Sequence, residues 1–482
     1  MQNVLPVTAA GLEQGTCVEE MPGVDLAGAF RCLAQLPRVI FLDSALKHGR
    51  LGRYSFITGD PFDWLCVAGN GVRSPFDPLA ELGARLKQYQ QPTLADLPPF
   101  QGGAAGLLGY GLCHGLEKIP RPGFDEFGIP DLAVGFYDWV LAFDHLKKRT
   151  WLVSTGLPET EPDLRMKRAR GRLREIKRLL LAGPAGPSHH QPKTTLALDD
   201  LAPRRPVSDQ PGVYSNLSQQ EYLDRVGKIL EYIRAGDCYQ VNFSQRLLCQ
   251  ARWPASVLFE KLRECSPAPF SGFMDGGEFA IGSASPERFL RLARGRVEAR
   301  PIKGTRPRGH TDAEDGRLRA ELRSSEKDRA ENVMIVDLLR NDLGRVCRYG
   351  SVRVPAVCRL ETYSHVHHLV SVIRGRLRSD LAATDLLRAA FPGGSVTGAP
   401  KVRAMEIISE LEPTARGPYC GSLGYISFDG AMDTSILIRT FTMARGWVQF
   451  PVGGGIVADS RPVDEYRETW AKAAGFLGVL GP

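Results

Sequence analysis

Apolar positions along the chain follow two periods, and their order predicts the architecture. Short apolar runs such as Val39-Ile40-Phe41-Leu42 and Trp139-Val140-Leu141-Ala142-Phe143 read as strands set among glycine turns, with few long helices in the first part of the chain. Further on, strand candidates such as Phe279-Ala280-Ile281-Gly282 and Trp447-Val448-Gln449-Phe450 alternate with helical patterns at 219–235, 325–343, 400–411 and 462–478. The basic amphipathic stretch Glu161 to Leu181 reads as a surface helix with a solvated charged face. This mixture predicts an α+β fold, large sheets covered by helices, without a short-period repeat.

The sharpest change of composition is a Pro/Gly/Ser/His-rich connector at 183–212, read as a flexible linker between a first stretch, 1–182, and a larger one, 213–482. At 482 residues the chain exceeds one ordinary core. The net charge of +7 is a small excess of 61 bases over 54 acids, and neither sign forms a long block. That argues against a nucleic-acid binder, while the mild positive bias suits an anionic substrate. The ten cysteines contain no Cys-x-x-Cys pair and read as single thiols of a reducing compartment. No Lys or Arg precedes the first apolar residues, which argues against a secretory signal. The uncharged run Phe100 to Leu116 is too short and too glycine-rich for a membrane span, so a cytoplasmic protein is expected.

Candidate chemistry begins at Arg300-Pro301-Ile302-Lys303-Gly304-Thr305-Arg306, which puts a lone amine on a glycine-punctuated loop. A second, acid-bearing loop, Ser285-Pro286-Glu287-Arg288-Phe289, lies upstream. An amine and an acid held together are the equipment for covalent substitution on a small electrophile, and Gly304 would let the backbone approach a ligand. A solvated lysine at a turn is the plain alternative. The helix opened near Ser325 carries Glu331 ahead of an apolar stripe, Ile335, Leu338 and Leu339, where an acid is costly to bury without a cation. Glu465, Glu468 and Lys472 share one face of the last helix and read alone as an ion-pair ladder. If Glu331 faces Glu468 across a cleft, the pair suits a hard divalent ion such as Mg2+.

Two glycine-rich loops are candidate anion holders: Pro392 to Lys401, running into a helix, and Gly453-Gly454-Gly455 after a strand. Neither matches a mononucleotide or dinucleotide fingerprint, and a structural loop remains open for each. His365-Val366-His367-His368 lacks companions at zinc-finger spacing and reads as a strand with one imidazole free to face a cleft.

Ser-Pro-Glu-Arg-Phe, Pro-Ile-Lys-Gly-Thr, Lys327-Asp328-Arg329-Ala330-Glu331-Asn332, His368-Leu369-Val370-Ser371, Gly398-Ala399-Pro400-Lys401 and Gly453 to Ser460 occur in the order found in chorismate-utilising enzymes. The chain resembles this family over essentially its whole length, on the branch of the anthranilate synthase component I type that aminates chorismate on the way to 4-aminobenzoate and folate. The resemblance implies large antiparallel sheets sandwiched between helices in αββα-like layers, with 1–182 as an N-terminal component I-like subdomain and 213–482 as the chorismate-binding catalytic domain. It implies Mg2+ on Glu331 and Glu468 with Glu465 in its water shell. It also implies that Lys472, Arg439, Tyr419 and the amides of Gly453, Gly454 and Gly455 hold the substrate's carboxylates, and that His368 and Ser395 line the ring pocket.

Anthranilate makers of the family carry alanine where this chain has Lys303. With lysine there, the resemblance implies attack by Lys303 at C2 of chorismate, Glu287 protonating the departing C4 hydroxyl, and ammonia then displacing the enzyme amine. Such an amine must be unprotonated, so its pKa must fall. Isochorismate and salicylate synthases carry a basic lysine in place of Gln240, so activation of water is disfavoured here. The sequence lacks an amidotransferase module, and ammonia is expected from a separate glutamine amidotransferase component. In relatives the first half, matched at Phe41-Leu42-Asp43-Ser44 and Arg53-Tyr54-Ser55-Phe56, helps bind tryptophan. Ser266, where relatives often have asparagine, counts against that ligand. The alternatives are an anthranilate synthase component I and a non-catalytic scaffold that binds an amidotransferase or an aromatic amino acid.

Overall fold

The computed structural model describes residues 15–46, 51–69, 77–184, 195–363 and 366–480. Among them, strands build two large antiparallel sheets of 13 and 10 strands. The apolar runs are explained by burial on both faces, because successive side chains of a strand point to opposite sides. Ile40 and Val140 enter the core between the sheets, with Phe56, Leu107, Met274 and Tyr425, while their neighbours Phe41 and Leu141 face an outer helical layer. That outer layer on the larger sheet is Leu26–Leu33, Pro162–Ala182, Ala255–Cys265 and Pro462–Leu480. On the smaller sheet it is Pro78–Gln88, Glu326–Gly344 and Ala383–Ala390. The expected α+β layering is thus present. Among the described residues no helix is long and apolar enough to cross a membrane.

Both sheets cross the 183–212 connector. Ile40–Asp43 pairs with Phe270–Asp275 in the larger sheet, and Gly103–Leu108 pairs with Ser422–Ser427 in the smaller. The connector therefore divides the sequence but not the sheets. Its residues 185–194 lie outside the described residues, while Leu201 is buried and the Leu196 carbonyl accepts from the Trp447 indole at 3.0 Å.

The four expected helices form at Gln219–Arg234, Glu326–Gly344, Lys401–Leu411 and Pro462–Leu480. Ser218 and Glu221 start the first as a reciprocal cap, the Ser218 hydroxyl accepting from the Glu221 amide at 3.1 Å and the Glu221 carboxylate from the Ser218 amide at 2.6 Å. Ser325 caps the second, accepting from the Asp328 amide at 3.2 Å. That cap fixes the head of the helix that carries Glu331.

Candidate active site

One end of the strand Trp447–Ile456 gathers the candidate residues. Gly453, Gly454 and Gly455 are not a loop after a strand: they sit inside it, opposite Ser244, Phe243 and Asn242. The strand's second neighbour, Thr440–Ala444, pairs only with Trp447 to Gln449, so the glycine end is laddered on one side. Alternate N–H groups there are free for a ligand. A methyl on Gly454 would stand 3.2 Å from Glu465, 3.5 Å from Glu468 and 3.6 Å from Lys472; one on Gly455 would stand 3.3 Å from the Lys303 amine. The glycines leave room for charged groups arriving from distant parts of the chain.

Lys303 also departs from expectation, since Ile302–Pro307 is a strand paired along Val366–Arg376. The register shifts between Lys303 and Thr305, where Gly304 has φ +80°. A Cβ on Gly304 would meet Asp328 and Leu322 at 2.9 Å, so this glycine answers helix packing and not the approach of a ligand. Burial lowers the Lys303 pKa below the ordinary lysine value, against the opposing pull of Glu331 and Glu287. Its Nζ lies 4.0 Å from Glu331 Oε2.

Glu287 is buried and accepts from the Ser395 hydroxyl at 2.7 Å. Burial pushes its carboxyl up to about 7, against Ser395 and Lys303. Ser395 therefore bonds to the acid itself. The rest of its loop is structural. Gly398–Ala399 pairs with Gln240 and Val241, and Lys401 donates to Asp342 at 2.7 Å and to the Ala390 carbonyl at 2.8 Å. That leaves the Pro392 to Lys401 segment packed into the fold and not open as an anion cradle.

Two helices bring carboxylates toward the glycine end of the strand, each facing a lysine. Glu331, near the head of Glu326–Gly344, and Glu465, at 5% exposure, both have raised pKa values, first from burial and then from neighbouring acids. Glu465 accepts from the Ser460 hydroxyl at 2.6 Å and faces Lys327 Nζ at 3.7 Å. Glu468 is half-exposed and bridged by Lys472 at 2.6 Å; burial works against its ionisation, yet Lys472 holds its pKa low. Lys472 also donates to the Gly453 carbonyl at 2.7 Å. The face read as an exposed ladder thus has one buried acid and turns toward the glycines. Among the described residues no three acidic, histidine or cysteine groups stand together ready to hold an ion, because each carboxylate is turned onto a lysine. The donor set still fits a hard divalent cation, which would relieve the crowding that raises Glu331 and Glu465.

His368 is buried, with Nδ1 2.9 Å from the Thr305 hydroxyl, and burial followed by the Arg439 charge pushes its pKa down to about 4. It is a neutral imidazole. Arg439 has φ +53° and makes no ion pair among the described residues, although its charge interacts with Tyr419 and Glu468. A guanidinium with no ion pair of its own, near Glu468 and His368, suits a carboxylate. Tyr419 is buried, under the Arg416 guanidinium at 5.8 Å. His365 lies outside the described residues.

Two side chains had no role assigned from sequence. Gln240 is fully buried, its two amide atoms lack partners, and a Cβ on Gly455 would meet its nitrogen at 2.7 Å. Lys327 precedes Glu331 by four residues, a helical spacing that could have paired them in advance. Away from this cluster, a cavity of about 360 Å3 lies between the sheets, lined by Asp43, Ser44, Arg53, Tyr54, Arg288 and Tyr425. Ser266 does not line it; its hydroxyl faces Gly475.

The sequence pattern of the chorismate binding enzymes matches residues 55–478. The chain is 42% identical over 463 residues to aminodeoxychorismate synthase component 1 of Salmonella typhimurium, covering 94% of this chain and 95% of that one. It is 41% identical over 458 residues to anthranilate synthase component 1 of Thermus thermophilus, covering 94% of each. Anthranilate synthase component I from Streptococcus pneumoniae superposes with a TM-score of 0.73 at 30% identity, over 88% of this chain and 92% of that one. The chain belongs to the chorismate binding enzyme family and is a chorismate-utilising enzyme.

Proposed function

We propose that this enzyme converts chorismate and ammonia to 4-amino-4-deoxychorismate, the precursor of 4-aminobenzoate for folate, through a covalent adduct on Lys303. Overall identity does not choose between the two activities named among its relatives, since 42% and 41% are equivalent. The observation that carries the reading is Lys303 itself: a buried amine of lowered pKa, with Glu287 and Glu331 beside it, where the family's anthranilate makers resemble this chain but carry alanine. Burial disfavours both charged forms, lowering the Lys303 amine and raising the Glu287 carboxyl, the directions that a nucleophilic amine and a proton-donating acid require.

In the first step the Lys303 lone pair bonds to C2. The two ring double bonds shift toward C4, and the C4 hydroxyl leaves as water with the Glu287 proton. Ammonia then bonds to C4, the double bonds return, and the C2–N bond breaks to release the lysine amine. Arg439, Lys472, Tyr419 and the amides of Gly453 to Gly455 would hold the substrate's carboxylates. Neutral His368 would border the ring, and Ser395 orients Glu287. Glu331 and Glu468, with Glu465 in the water shell, would hold Mg2+, which when bound supplies positive charge to the ring carboxylate. The ammonia donor would be a glutamine amidotransferase, as the name component 1 of its relatives suggests.

Incubating the protein with chorismate, Mg2+ and ammonium and identifying the product by mass tests this reading. 4-Amino-4-deoxychorismate is expected, with a chorismate-derived mass trapped on Lys303. Anthranilate would instead assign the second activity, and no turnover would leave a binding scaffold.

A further inference from the structure

Near Gly454 and Gly455 the candidate acids are paired with bases. Each acid has its own base: Glu331 with Lys303 at 4.0 Å, Glu465 with Lys327 at 3.7 Å, and Glu468 with Lys472 at 2.6 Å. Lys303 and Lys472 have roles in the reaction proposed above. Lys327 has none.

Its position is informative. Lys327 is the second residue of the helix Glu326–Gly344, one turn before Glu331 and on the same face, and it reaches across to an acid on the other helix, Pro462–Leu480. The two ends of the bond differ in their access to water: the Lys327 side chain is 45% exposed and Glu465 only 5%. Releasing the pair returns the ammonium to solvent at little cost, whereas Glu465 would stay buried without a counter-charge. Lys327 thus stands between Glu331, one turn along its own helix, and Glu465, on the facing one. A divalent ion held by the same acids would repel it at short range.

We propose that Lys327 is a displaceable counter-ion of the metal site: it neutralises the acids before a cation arrives, moves into solvent when one enters, and so sets the metal affinity. This rests on the reading that Glu331 and Glu468 hold Mg2+ with Glu465 in its water shell. Lys327 accordingly keeps that affinity weaker than the uncompensated carboxylates would give.

The test is metal binding to the full chain without substrate, by calorimetry with Mg2+ and by electron paramagnetic resonance with Mn2+. Lys327→Met is expected to bind about tenfold more tightly than the unaltered protein, by Coulomb repulsion removed. Lys327→Arg should stay near the original affinity, and Glu331→Gln should bind more weakly. Lys327→Met should also melt lower than the unaltered protein in chelator and gain a larger increase in Tm on saturation with Mg2+. Unchanged or weaker binding by Lys327→Met, while the unaltered chain binds metal, overturns the counter-ion role. If neither the unaltered chain nor Lys327→Met binds either ion, the metal reading itself fails and takes this proposal with it.

Discussion

Lys303 and Glu287 are perturbed by the same cause in opposite directions, and that makes their roles separable by titration. Burial lowers the amine and raises the acid, so the pair is driven toward its neutral form although each charge favours the other's ionisation. Lys303→Ala is expected to abolish the 4-amino product while the ring site persists, leaving slow anthranilate formation detectable by fluorescence; undiminished 4-amino product would remove the covalent step. For Glu287 the proton is needed, so kcat/KM should fall as pH rises through about 7. Glu287→Gln should lose roughly 10²- to 10⁴-fold in rate and with it that alkaline limb. The sign for stability agrees. A carboxyl raised in the folded state contributes most below its unfolded pKa, and that contribution is lost as pH climbs through about 7. Denaturant midpoints of the Glu287→Gln variant should therefore vary less between pH 5 and 8 than those of the parent, and an equal slope would contradict the assignment.

At the scale of elements, Gly304 shows how a strand can hide in a sequence. Ala at this position would need φ +80° and would place a methyl 2.9 Å from Asp328 and Leu322, on the two helices that flank the edge strand. Gly304→Ala is expected to cost about 1–3 kcal/mol in urea unfolding, from strain and overpacking. It should also lower kcat by moving Lys303; a stable, fully active variant would show that the bulge does not place the amine. In the sequence Gly304 is indistinguishable from loop punctuation, because a bulge and a turn share the same residue. Gly453 to Gly455 hide a strand for a related reason: with no side chains they carry no period-2 signal, although they pair residue by residue with Asn242 to Ser244. The long helices and apolar strands were legible because burial on one stripe or on two faces writes itself into composition. Glu331 and Glu468, separated by more than a hundred residues, could be named from motifs. The Glu468–Lys472 pair was readable from its spacing within one helix, whereas the pairing of Glu331 with Lys303 and of Glu465 with Lys327 was not, because both cross between distant elements set by the sheets beneath them.

At the scale of the whole molecule, the connector suggests two units and the sheets argue for one. Phe270–Asp275 borrows Ile40–Asp43 as a neighbour, and Ser422–Ser427 borrows Gly103–Leu108. Expressed alone, 213–482 would expose both of those edges together with the apolar side chains that Phe56, Leu107 and Val140 cover from the other half. It is expected to be insoluble. A protease site placed between residues 184 and 195 makes the sharper experiment, since cutting there breaks no described strand pairing. The two fragments should co-elute as one particle on gel filtration, unfold together in a single transition, and keep most of the turnover. Separation of the fragments without denaturant, or two independent melting transitions, would mean that the strand pairs across the connector are too weak to join the halves. In that case the site on 213–482 should fold and bind chorismate alone. The continuous sheets predict that it does not, because the strand Trp447–Ile456 that seats the glycines lies in the sheet that Ile40–Asp43 helps complete.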